Sequence, residues 1–245
     1  MKRKALIAAA LVLAAACATA SGSGEDGPIE ASGIRVIVIR SGPLDVRVSG
    51  GEQFEMSFDS DSDSDSATRI VHRRDGSRLR VWIENDGLLS SGPPGQIRIS
   101  VPRGIDLIVE TGSGRVMVDS ADERKCSVHT ISGGIGLHDV RGRLSVDSVS
   151  GSIVIDSTEG GVIARSVSGG ITGRRLKLTE DSSFSSISGD IEIGLDSALE
   201  TLAFDLKSIS GSIRIGSIRA ERGLRMGFGA PLVKGSTISG ALFFQ

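Results

Sequence analysis

Apolar and polar residues alternate along most of the chain, and from Glu110 onward one phrase recurs: Ser or Thr, an aliphatic residue, Ser-Gly, a variable position, then Ile or Val. Its Ser-Gly pairs are Ser113-Gly114, Ser132-Gly133, Ser150-Gly151, Ser168-Gly169, Ser188-Gly189, Ser210-Gly211 and Ser239-Gly240, so successive copies lie 19, 18, 18, 20, 22 and 29 residues apart. Three residues after the Ser stand Val116, Ile135, Ile153, Ile171, Ile191, Ile213 and Leu242; five after it stand Val118, Leu137, Ile155, Gly173, Ile193, Ile215 and Phe244. These columns share a parity and predict one face of a strand. The residue directly before the Ser (Ile131, Val149, Val167, Ile187, Ile209, Ile238) has the same parity and is expected to point inward with them. A second strand precedes each phrase, marked by Val109, Val128, Val146, Ala164, Phe184 and Leu206 four places before the Ser.

Even and odd offsets cannot both face inward on an unbroken strand, so the chain must turn a corner at the phrase. Gly after the Ser suits a bend because it tolerates positive φ, and the two hydroxyl columns can satisfy the backbone groups there. Two strands and two corners in about 18 to 20 residues predict an all-β, single-domain parallel β-helix, or β-solenoid, of about seven regular coils stacked ~4.8 Å apart. No coil can bury its Ile and Val alone; stacking buries them all, at roughly 1.5–3 kcal/mol per side chain. The last copy, Ser239 to Gln245, is expected at the end of the stack, with residues 216–235 folding back to cap it.

Residues 30–110 alternate with weaker repetition. GIRVIVI, LDVRV, FEMSF, RLRVWIE and QIRISV read as strands, and Ser41 to Val46 reads as a degenerate eighth copy of the phrase. This less regular β segment is expected to start the solenoid and cover its first open edge. Ahead of it, Lys2, Arg3 and Lys4 precede an apolar run of twelve, Ala5 to Ala16, too short to span a bilayer and suited to an export signal. Two processing readings stand: cleavage at Ala18-Thr19-Ala20, or a lipobox ending in Cys17, which would then be lipidated. The organisation expected is a signal at 1–20, a Gly/Ser linker at 21–29, the N-terminal β segment and cap at 30–110, and the repeat solenoid at 111–245.

The chain has 28 basic and 30 acidic residues, a balance that argues against nucleic acid as partner. Aromatics are 3%, with no Tyr and one Trp, which disfavours aromatic sugar-binding platforms. Besides Cys17 there is only Cys126, in the inward column with Leu107 and Leu144, where it reads as a small hydrophobe. Gly22 to Gly27 spells G-x-G-x-x-G without a strand before it or a helix after it, so it carries no dinucleotide reading.

The signal and linker, the IRISVP segment, the LIVETGSG entry and the repeats VDSVSGSIVI, ARSVSGGI and LKSISGSIRI together resemble the bacterial "putative adhesin" family of β-strand-repeat proteins of unknown function, over residues 30–245. The resemblance implies an exported β-helix-like body, often with a membrane or lipid anchor, and brings no catalytic residues.

Candidate chemistry is sparse. Asp59, Asp61, Asp63 and Asp65 alternate with Ser and could chelate calcium through oxygen ligands, although positions six and twelve of a hand-type loop hold Ser64 and Ile70; a self-repelling loop explains the run as well. Three before each Ser, Glu110, His129, Asp147 and Arg165 are expected as stacked neighbours on an exposed face, a grouping that could bind metal or do acid/base work or simply avoid like-charge contacts. His72 and His138 read as surface residues, and Arg174, Arg175 and Lys177 as a solvated corner. The phrase serines lack a base to activate them and read as structural. No cofactor motif is present. The function expected is therefore a non-catalytic binding, adhesion or scaffold protein of the cell envelope, whose partner is an envelope protein or glycan and whose membrane contact is a lipid anchor. The alternatives are a polysaccharide-active β-helix enzyme using Asp147 and Arg165, and an envelope-stress or assembly module acting on a protein partner.

Overall fold

The structure, a computed structural model, describes residues 32–60, 68–85 and 95–245. The signal and linker with Cys17, and Asp61, Asp63 and Asp65, lie outside them.

In chain order the strands are β1 (Val36–Gly42), β2 (Asp45–Gly51), β3 (Glu55–Ser60), β4 (Thr68–Asp75), β5 (Arg78–Asn85), β6 (Gly95–Pro102) and β7 (Asp106–Thr111). There follow β8 (Val116–Asp119), β9 (Asp122–Thr130), β10 (Ile135–His138), β11 (Arg141–Ser148), the long β12 (Ile153–Ser166), β13 (Ile171–Leu178), β14 (Ser182–Ser186) and β15 (Ile191–Leu195). The chain closes with β16 (Ala203–Ser210), β17 (Ile213–Ile215), β18 (Ile218–Ala220), β19 (Gly223–Met226), β20 (Leu232–Ser239) and β21 (Leu242–Phe244). The fold is all-β and β-solenoid-like; among the described residues the helical structure is one 3-10 turn, Leu199–Thr201.

Two strand stacks run through the molecule, each in parallel register. One contains β5, β1, β7, β9, β11, the second half of β12, β14, β20 and β16. The other contains β6, β2, β8, β10, the first half of β12, β13, β15, β21 and β17. Between them lie the plus-three, plus-five and minus-four columns, with Val116, Ile153, Ile171, Ile191, Val109, Val128 and Phe184 all at 0% exposure. Cys126 is at 0% too, in register between Leu107 and Leu144, and burial pushes its thiol up to about 12.

The rungs are not stacked in chain order at either end. The last copy of the phrase, β20 and β21, is inserted between β14/β15 and β16/β17, so the copy at Ser210 forms the outer rung. Residues 216–235 do fold back, and within them β18 and β19 pair antiparallel with β17 and β16, capping that rung rather than the final copy. Gly216, at φ +54°, reverses the chain directly after β17, so the hairpin occupies one edge of this rung and leaves only the other for a parallel neighbour. At the opposite end, β1/β2 is inserted between β5/β6 and β7/β8, and β4 and β3 pair antiparallel outside β5 and β6. The degenerate copy is also offset by two: Val46, not Leu44, pairs with Val116 in the plus-three column, and Ser41 is a buried corner hydroxyl bonded to the Leu44 carbonyl, 3.0 Å.

Side-chain size matches the inserted order. Gly235 holds the minus-four position of the final copy, and a Cβ there would lie 2.7 Å from Leu206 Cδ2 and 3.2 Å from the Phe244 ring. The space it leaves lets Phe244 stack edge-on to Phe184 and Phe204, with ring centroids 6.2 and 5.8 Å apart.

Candidate binding surface

The phrase corner is built by its minus-two hydroxyl and its plus-one glycine. Thr111, Thr130, Ser148, Ser166, Ser186, Ser208 and Thr237 are all buried. Thr130 Oγ1, Ser166 Oγ and Ser186 Oγ accept from the amides of Gly133, Gly169 and Gly189 at 3.0, 2.8 and 2.8 Å, closing a tight turn over the two residues between. The hydroxyls of Ser148 and Thr237 are buried without a hydrogen bond. Satisfying the corner falls to this one column; the phrase serines themselves are exposed.

Glycine is needed here for a reason other than the one expected. None of the seven phrase glycines has positive φ; instead the corners stack so closely that a Cβ on Gly133, Gly151 or Gly169 would lie 1.9, 1.8 or 2.1 Å from the glycine carbonyl oxygen of the rung before. The left-handed backbone occurs at the other corner, seven places after the Ser, in Ser120, Asp139, Ser157 and Arg175.

The turn throws its two middle residues outward, which overturns the inward reading of the minus-one column. Ile131, Val149, Val167, Ile187, Ile238 and Ile209 are exposed by 54, 38, 40, 44, 48 and 73%. They form one ladder in that spatial order. Ser150, Ser168, Ser188 and Ser239 donate their amides to the carbonyls of Ile131, Val149, Val167 and Ile187, each at 2.9 Å, and β20 pairs with β16 to bring Ile209 last. At that end Ile187, Ile238 and Ile209 line an open groove of about 580 Å³ with Lys207, Arg222 and Ser236 on its walls and no carboxylate.

Beside the ladder, the minus-three column runs Glu110, His129, Asp147, Arg165 and Ser185 in register, as expected. Each of its two carboxylates has one cation a rung away: Arg40 Nε donates to Glu110 Oε2 at 2.8 Å, and Arg165 contacts Asp147 Oδ1 at 3.4 Å. Among the described residues no group of three or more His, Cys, Asp or Glu is arranged to hold a metal. Arg175 and Lys177 are tied to Asp156 and Glu159, both at 2.7 Å, leaving Arg174 as the one of that trio with no ion pair among the described residues. His72 is half-buried in β4 and His138 exposed at the end of β10. Asp59, the one carboxylate of the acidic run inside the described residues, pairs with Arg98 at 2.7 Å.

One buried acid escaped the sequence reading. Glu123 is 2% exposed, and β9 holds one more residue there than β11, since Asp122 pairs with Arg141 and Lys125 with Arg143. The signal was the spacing of 19 residues between the first two copies against 18 for the next. Burial above all raises its pKa to about 8; the Ile105 amide opposes this, and the neighbouring Asp122 and Asp106 add to it. Neither carboxyl oxygen makes a hydrogen bond of ordinary geometry, so the Ile105 contact is a weak one and burial decides the direction.

The Toastrack DUF4097 family model matches residues 94–225, more than half of the chain. The chain belongs to the Toastrack DUF4097 family. The matched part of this Toastrack contains Ile131, Val149, Val167, Ile187 and Ile209 of the ladder, and leaves out both inserted strand pairs, β1/β2 and β20/β21. Among solved structures, the chain is similar to the crystal structure of a "putative cell adhesion protein" from Clostridium sporogenes, at 13% identity and a TM-score of 0.42, over 88% of this chain and 95% of that one. No curated protein matches.

Proposed function

We propose that this Toastrack protein is a non-catalytic binding, adhesion or scaffold protein of the cell envelope, exported and anchored through a lipid on Cys17, its strands forming a parallel β-helix of regular coils. The observation that supports a binding role is the ladder of six exposed aliphatic side chains. Scattered exposed aliphatics are ordinary; a contiguous strip on the order of 500 Å² matches the largest apolar patch of a typical monomer, which is often a functional one. The minus-three carboxylates, engaged with Arg40 and Arg165, offer an enzyme reading no comparable support.

The test compares the parent with an Ile187→Lys, Ile209→Lys double variant for binding to washed envelope fragments. Both sites are exposed, so the variant is expected to fold, with an unchanged circular dichroism spectrum, and to lose at least about tenfold in affinity. Equal retention of both proteins sinks the binding role of the corner. The anchor is tested separately by fatty-acid labelling, which should mark the parent and not Cys17→Ala.

A further inference from the structure

We propose that the aliphatic corner is where two copies of this chain meet, antiparallel about a twofold axis; this rests on the binding reading above and names its partner. Spacing is the first argument. The apolar stripe of a helix recurs about every 5.4 Å, and same-face residues of a strand about every 6.6 Å, so neither stays in step with six side chains on rungs ~4.8 Å apart. A second copy of the same ladder does.

The two halves of the ladder are also complementary. A twofold axis across the stack, between Val167 and Ile187, sets Ile131 against the partner's Ile209, Val149 against the partner's Ile238, and Val167 against the partner's Ile187. The half formed by Val149 and Val167 then enters the half that carries the groove. Charge selects this arrangement over a parallel one. An axis across the stack keeps the minus-three side of each copy on a common side, so Lys207 and Arg222 at one end come over the partner's Glu110, His129 and Asp147; the cations that already pair with these carboxylates, Arg40 and Arg165, lie one rung further out on either side. An axis along the stack would lay Lys207 on the serine side instead. Both cations are available: Arg222 has no ion pair among the described residues, and Lys207 only a 4.0 Å approach to Asp205, which Arg225 already engages at 3.2 Å. The strip of about 500 Å² falls short of the ~800 Å² per partner of a stable specific interface, so the dimer proposed is a weak one that exchanges with monomer.

Sedimentation equilibrium of the full chain carrying Cys17→Ala, from about 1 to about 500 μM, should show a monomer and dimer in exchange, with a Kd of about 1–100 μM. Ile187→Asp and Lys207→Glu should each weaken it at least about tenfold, and His129→Lys, at the position that Lys207 faces across the axis, added to Lys207→Glu should recover most of the loss. Should Ile187→Asp fail to fold, the charge pair, on two exposed side chains, carries the test. A monomer throughout, or a dimer that neither substitution weakens, overturns the proposal. If the chain is monomeric, flotation with phosphatidylglycerol vesicles separates the two readings: capture that is lost in Ile187→Asp leaves the corner as a binding surface with a lipid partner, and overturns only the dimer.

Discussion

At the scale of single residues, the corner glycines and the one buried acid make the sharpest claims. A methyl group on Gly151 would sit 1.8 Å from the Gly133 carbonyl oxygen, which is backbone and cannot swing aside, whereas a methyl on Gly170 meets nothing nearer than 3.5 Å. Gly151→Ala should therefore cost several kcal/mol, on the order of the 4–5 kcal/mol that marks severe substitutions, and Gly170→Ala no more than about 1 kcal/mol, as read by urea denaturation. Equal midpoints for the two would refute the close-approach account. Glu123 predicts a pH dependence. Its folded pKa of about 8 lies above the ordinary 4.5, so the folded state holds a proton that the unfolded chain has released, and stability falls as pH rises from about 4.5 through about 8. Glu123→Gln removes this slope: relative to the parent, its melting temperature should be higher at pH 9 than at pH 5, and parallel profiles would exclude burial of the acid as the cause.

Among the elements, the inserted pair β20/β21 sets the order of the last rungs, and that order was the part of the fold least legible in the sequence. The columns announce which residues face inward, but the copies at Ser210 and Ser239 both read as the phrase, and counting alone lets either follow Ser188. What decides between them is the hairpin at Gly216 and the fit of Gly235 between larger neighbours, both visible only once rungs are placed in space. The minus-one column misled for a related reason: parity is reset inside the corner, so an aliphatic residue there looks inward by counting while the Thr130-type turn pushes it out. The order has a measurable consequence. Phe244 is fully buried against both Phe184 and Phe204, so Phe244→Ala should cost about 3–5 kcal/mol and speed amide exchange in β16 and β17 as well as in β21. A chain-ordered stack would fray at β21 alone, and exchange confined to that strand would contradict the insertion.

For the whole molecule, the insertions bear on cooperativity. A stack of rungs that touch only their neighbours tends to unfold piecemeal, beginning where the chain ends. Here the pairs nearest both ends of the described chain, β1/β2 and β20/β21, each lie between two other rungs, so pulling either out breaks two interfaces instead of one. The outer rungs are bound into their own antiparallel strands, and the inner columns run unbroken from Leu79 to Phe204. Local opening from the ends is thus made costly relative to loss of the whole stack, and the chain should unfold as one unit. The single Trp82 lies in β5, in the outer rung, roughly 19 Å or four rungs from Ile155. Ile155, at 0% exposure, belongs to the central columns, and Ile155→Ala should cost about 2–5 kcal/mol. Denaturant midpoints followed by Trp82 fluorescence and by far-ultraviolet circular dichroism should fall together in this variant. If the Trp82 midpoint stays at its parent value while the dichroism midpoint drops, the rungs unfold independently and the interlocked ends do not couple them.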